Sequence, residues 1–106
     1  MVATSKLFSP TRVGKMNLTH GVVLAPLTRF RADESHVHTD MAVEYYRQRA
    51  SVPGTFLITE ATLIAPKAGL YDNVPGLWND EQIAAWKKAC LHFYLLCSHG
   101  LTVSRR

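Results

Sequence analysis

The run Val22-Val23-Leu24-Ala25 is apolar without alternation and stops at Pro26, after which Leu27-Thr28-Arg29 brings in a hydroxyl and a guanidinium. Unbroken apolar character over four residues predicts a short strand covered on both faces. Proline has no amide hydrogen to give a ladder, so Pro26 marks the strand's carboxyl end. A second run of the same kind, Thr55-Phe56-Leu57-Ile58, ends in Thr59-Glu60. Between the two, Thr39 or Asp40 can cap a helix that runs to about Arg49. Met41, Ala42, Tyr45 and Tyr46 fall at helical spacing, and Arg47 and Arg49 suit its C-terminal end. Ser51-Val52-Pro53-Gly54 stops that helix. Strand, helix and strand in this order form a right-handed βαβ unit of a parallel sheet. Thr28 and Glu60 then share one rim, the end at which barrels and open α/β sheets bind ligands.

The flanks extend the pattern. Leu7-Phe8 and Val13–Leu18 read as short strands, with turns at Ser9-Pro10 and near Gly14. Residues 29–40 form a polar loop, and Ala65–Pro75 is a loop rich in glycine and proline. Asn79 or Asp80 caps a second helix that carries Glu81, Gln82, Ile83, Ala84, Trp86 and Lys87. The fold class is therefore α/β: a hairpin, then strand, helix, strand, helix. A single βαβ unit leaves the outer edges of both strands open, so further strands, or self-association through those edges, are expected.

Composition narrows the function classes. The net charge of +4 is spread over short clusters, such as Arg29 with Arg31 and Lys87-Lys88. These read as solvated faces, and with no basic stripe no nucleic-acid partner is expected. The first six residues have no apolar core of a signal peptide, and no apolar run approaches membrane-spanning length. A cytoplasmic protein without a membrane contact follows as the expectation. Cys90 and Cys97 match neither a metal nor a disulfide spacing and read as buried free thiols.

Single residues leave alternatives open. Thr28 can donate to a ring edge or cap a turn. Glu60 can act as a general base or anchor an ion pair. His36-x-His38 could be two metal ligands, but without a third partner a solvated loop is the expectation, and no metal is assigned.

Leu24-Ala25-Pro26-Leu27-Thr28-Arg29, Glu44-Tyr45-Tyr46-Arg47-Gln48-Arg49-Ala50, Pro53-Gly54-Thr55 with Leu57-Ile58-Thr59-Glu60, and Gly69 through Gly76 with Trp78 occur in one order. Together they resemble the Old Yellow Enzymes, FMN-dependent ene-reductases on a (β/α)8 TIM barrel, and are closest to the fungal members. The resemblance covers residues 5–88. It implies the N-terminal portion of that barrel, an incomplete one, with FMN as cofactor and NAD(P)H as reductant. Hydride would pass from NADPH to FMN and on to an activated alkene, an enone or enal. Carried over residue by residue, Pro26 and Leu27 line the flavin with their backbone and Thr28 bonds its ring. Ala61 approaches the flavin where many members have glycine, and Phe30 and Tyr71 flank the substrate mouth.

The same resemblance implies machinery that these 106 residues do not carry. It includes a glutamine and tryptophan on strand three, a histidine pair or histidine–asparagine pair for the substrate carbonyl, a proton-donating tyrosine and the phosphate site. His20, His36 and His38 do not match the pair. No catalytic residue is assigned, and the chain alone is expected to bind FMN weakly at best and to be inactive. The division is residues 1–88 as the barrel part and 89–106 as a divergent tail. A shifted reading frame for Cys97 through Ser104 can spell Gln-Ser-Trp-Ala-Tyr-Gly, close to the strand-three motif, so the tail is expected to be out of frame. The apolar run from Leu91 to Leu96 either extends the second helix or collapses onto the strands. The alternatives are a noncatalytic fragment that binds a barrel partner and a mispredicted gene product.

Overall fold

Gly14 takes φ +59°, open to glycine at little steric cost, and turns Thr11–Val13 (β1) back on Met16–Leu18 (β2). The two strands pair antiparallel, Thr11 opposite Leu18 and Val13 opposite Met16. The structure is a computed structural model that describes residues 5–68 and 71–96. Val23–Leu24 (β3) and Phe56–Leu57 (β4) pair in parallel, Val23 opposite Phe56 and Leu24 opposite Leu57. The crossover between them carries Asp40–Arg49 (α1), so the βαβ unit has the order read from the sequence. Asp80–Leu96 (α2) follows.

The start of α2 and the end of α1 have local causes. Asn79 caps α2, its Oδ1 accepting the Gln82 amide at 2.9 Å. Thr39 precedes α1 but turns its hydroxyl to the Arg31 carbonyl instead of capping. Arg47 and Arg49 close the last turn of α1, where cations oppose the helix dipole. Gly54, at φ +81°, follows: a Cβ there would lie 2.6 Å from the Thr19 methyl.

The core lies between the helices and one face of the β3–β4 pair. Tyr46, Ala50 and Ala89 are almost fully buried, with Leu24, Leu57, Val43 and Trp86 packed against them. Alternation along each strand sends Leu24 and Leu57 to this core and Val23 to the other side, where it is 41% exposed. The opposite end of the pair is tied by His20. Its Nδ1 accepts the Val22 amide, its Nε2 meets the Thr55 hydroxyl at 2.9 Å, and Thr19 donates to the Pro53 carbonyl.

Several expectations are corrected. Leu7-Phe8 is not a strand but part of a 3-10 turn over Lys6–Phe8, where Ser5 Oγ accepts the Leu7 amide. The Val22–Ala25 run is covered on one face only, because Leu24 packs on the core while the side of the pair that Val23 faces is left exposed among the described residues. Met41 is exposed, and the buried stripe of α1 is Ala42 and Tyr46, continued by Ala50 just past its end. Cys90 is exposed, because the adjacent Ala89 takes the position on α2 that faces the core. The second helix does run on past residue 88, to Leu96. Cys97 and the string read in a shifted frame lie outside the described residues. No described helix is long and apolar enough to cross a membrane.

Candidate functional site

Beyond Leu24 the chain turns sharply, the Leu27 amide donating to the Ala25 carbonyl at 2.9 Å. Beyond Leu57, the Ile58 amide still donates to the Leu24 carbonyl at 3.0 Å. The two strands therefore deliver Thr28-Arg29 and Glu60-Ala61 to one rim. At each strand end one residue of the pair goes inward and the other stays outside. Arg29 and Glu60 are turned into the protein, with side chains 13% and 1% exposed, whereas Thr28 and Ala61 are exposed.

The inward residues form a buried ionic cluster. Arg29 Nη2 pairs with Glu60 Oε1, and its guanidinium lies 3.8 Å from the centre of the Tyr45 ring. The Tyr46 hydroxyl serves Glu60 twice. It accepts the Glu60 amide at 3.1 Å and donates to Oε1 at 3.3 Å. Burial raises the Tyr46 pKa, so the phenol keeps the proton it donates. His38 Nε2 is 3.9 Å from the same carboxylate oxygen, and its ring packs on Trp86 with centroids 4.2 Å apart. Burial holds His38 below its ordinary pKa of 6.5, Glu60 opposing and Arg29 reinforcing the shift. Arg29 Nε, Glu60 Oε2 and both His38 nitrogens are buried without a hydrogen-bond partner among the described residues. Of the two roles open to Glu60, the structure thus shows the ion-pair anchor.

The outward residues meet in a concavity of about 460 Å³. Thr28 and Ala61 line it together with Phe30, Leu63, Tyr71 and Val74. Phe30 is held at φ +57°, a conformation bulky residues avoid, and its ring meets Tyr71 edge-on at 6.1 Å. Pro26 and Leu27 are exposed in the turn beside the concavity and are not part of its described lining.

Two loops are laced together behind this wall. Ala32 and Asn73 exchange hydrogen bonds, the Gly76 amide donates to the His36 carbonyl, and His36 Nδ1 lies 2.6 Å from the Val74 carbonyl. Gln82, fully buried, accepts the Trp78 amide and donates to the Ser35 carbonyl. Gly76 has no room for a side chain: a Cβ would lie 2.4 Å from the Trp78 ring. The solvated-loop reading of His36-x-His38 is therefore corrected. One imidazole staples the loops and the other fills the core: His36 hydrogen-bonds to Val74 and His38 packs on Trp86, both across chain segments distant in sequence. Tyr46 and Gln82 were missed as organising residues. Their only signal was helical position, Tyr46 four residues after Ala42 and Gln82 three after a capping asparagine.

A family profile matches residues 6–91 of the chain. The chain belongs to the NADH:flavin oxidoreductase / NADH oxidase family. It is 61% identical over 84 residues to the NADP-dependent oxidoreductase lnbE of Aspergillus flavus, covering 79% of this chain and 22% of that protein. Enoate reductase 1 of Kluyveromyces lactis is 45% identical over 89 residues, covering 82% of this chain and 22% of that protein. The crystal structure of Old Yellow Enzyme from Pichia sp. AKU4542 matches with a TM-score of 0.81 at 45% identity. The match covers 86% of this chain and 24% of that one. The chain thus spans less than a quarter of the length of these relatives, and the described residues are a small α/β part of the TIM barrel. The family is one of FMN-dependent NADH or NADPH oxidoreductases of the ene-reductase type. The concavity fits the ring of that cofactor. Its described lining brings two hydroxyl-bearing residues, Thr28 and Tyr71, to an otherwise apolar and aromatic wall, as a flat heterocycle needs. It does not fit the phosphate, since no cation is among the described lining residues.

Proposed function

We propose that this chain is the flavin-facing first quarter of an ene-reductase barrel, and that alone it holds part of the FMN ring without catalysing turnover. The single observation that supports this reading is the concavity shared by Thr28 and Ala61 at the carboxyl ends of two parallel strands. Thr28 donates to the ring edge, Pro26 and Leu27 present backbone to the ring, and Ala61 bounds it from the second strand. When bound, FMN supplies the hydride carrier between NAD(P)H and an activated alkene such as an enone or enal. These residues bind and orient the ring, and none of them moves a proton. Half a pocket leaves the ring wet and its phosphate unneutralised, which weakens binding and exposes any reduced species to water. Residues 1–88 form the barrel part and 89–106 a divergent tail read out of frame, which sequencing the transcript tests. The protein acts in the cytoplasm.

The deciding experiment uses the purified chain with FMN, NADPH and 2-cyclohexenone. Fluorescence titration is expected to show FMN binding that does not saturate. NADPH oxidation is expected to match a flavin-only control, with or without the enone. Enone-dependent NADPH consumption above that control overturns the proposal. Tight, saturable FMN binding does so as well.

A further inference from the structure

Glu60 uses its carboxylate unevenly. Oε1 takes the Arg29 ion pair and the Tyr46 hydroxyl, and it is also the oxygen 3.9 Å from His38 Nε2. Oε2 is buried with no hydrogen-bond partner among the described residues. Two neighbours compete for it. One is Arg29, whose Nε is also buried and unpartnered, and which with Nη2 forms the fork that grips both oxygens of a carboxylate. The other is His38, whose two ring nitrogens are unpartnered as well. A neutral imidazole carries one N–H and one lone pair, whereas the imidazolium carries two N–H groups and a charge. Protonation therefore makes Nε2 a charged donor beside the carboxylate, whichever tautomer preceded it.

The surroundings hold the imidazole and make the carboxylate the part that turns. His38 stands edge-on to Trp86 at 4.2 Å and to Tyr46 at 6.4 Å, and its side chain is 1% exposed. The last torsion of Glu60 is broad and rotates at little cost. The charged and titratable groups that face His38 are Glu60 from the end of β4, Arg29 from the end of β3 and Tyr46 from α1. From α2 it meets the indole of Trp86, while Lys88 of that helix pairs with Asp40 of α1 at the surface. His36 packs on Trp78 instead.

We propose that His38 is a positioning residue for the rim: neutral, it leaves the Glu60 carboxylate to Arg29 and Tyr46, and protonated, it draws that carboxylate away from Arg29. Arg29 directly follows Thr28, and Glu60 directly precedes Ala61. The grip between the inward pair therefore sets how firmly the outward pair is held at the concavity. His38 is not part of the described lining, so it acts on the rim through Glu60. The rim is tight in neutral solution and loosens as the imidazole takes a proton. Burial holds that step on the acid side of 6.5. The functional meaning of the switch rests on the reading of Thr28 and Ala61 as ring contacts.

The test is an NMR titration of the whole chain without flavin, from about pH 7.5 down to about pH 5. It follows the ring signals of the histidines, the methyl signals of Thr28 and Ala61, and those of Val13 on β1 as a control. The Thr28 and Ala61 signals are expected to shift within the folded spectrum at the midpoint of the His38 ring, below 6.5, while Val13 stays in place. His38→Gln, which still donates and accepts but takes no proton, should abolish that shift and keep the neutral-pH rim signals of the wild type. His36→Gln should leave the shift intact. If a variant does not fold, the wild-type midpoints decide alone. The proposal is overturned by rim signals that stay still while His38 titrates, by a rim midpoint that follows His20 or His36, or by a shift that survives in His38→Gln. A shift shared by Val13 overturns it too, as does a His38 that takes no proton before the chain unfolds. Flavin is absent throughout, so failure here is distinct from failure of the FMN reading, which the turnover assay reports.

Discussion

Replacing Glu60 with glutamine keeps the shape of the side chain and removes its charge. Arg29, with a side chain 13% exposed, then carries a cation whose ion-pair partner is gone. Breaking one side of a buried pair costs about 3–5 kcal/mol. The low end applies here, because the Tyr45 ring 3.8 Å from the guanidinium still offers a cation–π contact. The Tyr46 hydroxyl also keeps the Glu60 amide as a partner. A loss of about 3 kcal/mol at about 4–8 °C per kcal/mol lowers the melting temperature by about 12–24 °C. Thermal unfolding by far-UV circular dichroism measures this directly. The partner experiment is the double variant Arg29→Met with Glu60→Met, which removes both charges and should recover most of the loss. A Glu60→Gln melting temperature within about 4 °C of the wild type would refute the reasoning, since the pair would then contribute under about 1 kcal/mol. So would a double variant as unstable as the single one.

Acid should destabilise the chain through His38, whose folded pKa lies below the unfolded 6.5 because of burial. The unfolded chain takes up the proton first as pH falls through 6.5, so stability is full above that value. It declines below it until the folded imidazole also titrates. Urea midpoints at about pH 7.5 and about pH 5.5 should differ in that direction, and His38→Gln should narrow the gap. Tyr46→Phe leaves the buried Glu60 amide unpaired and should cost about 1–3 kcal/mol, read as a lower urea midpoint at unchanged slope. Asn79→Ala removes the α2 cap and should cost about 0.5–2 kcal/mol in the same measurement, with Asn79→Asp close to the wild type. Gly54→Ala combines a positive φ with a contact on Thr19 and should cost more than about 1 kcal/mol in thermal unfolding.

The helices and the parallel pair were legible because their signals are local. Asn79 caps from one turn away, Gly14 and Pro53-Gly54 break the chain where they stand, and the two apolar runs have strand length. What failed were inferences about neighbours. The unbroken run at Val22 suggests two covered faces, yet coverage depends on distant partners, and among the described residues Val23 remains 41% exposed. Leu7-Phe8 has strand-like residues, but Ser5 captures the Leu7 amide before a ladder can. The histidines of the 29–40 loop were misread because their partners, Val74 and Trp86, lie 38 and 48 positions away. At the site, parallel pairing put Thr28 and Glu60 on one rim, whereas Ala61 was reached only through the family resemblance. Nothing local said that Arg29 and Glu60 would turn inward, since the pattern of a strand end does not tell a charged residue which side is lined by tyrosines.

The division of labour at the two strand ends bears on how such a rim can change over generations. Thr28 and Ala61 meet the concavity while their immediate neighbours, Arg29 and Glu60, hold the strands together. A substitution at 28 or 61 therefore reshapes the concavity without touching the ion pair, whereas one at 29 or 60 breaks that pair. A saturation library scored for folded yield should be permissive at 28 and 61 and intolerant at 29 and 60.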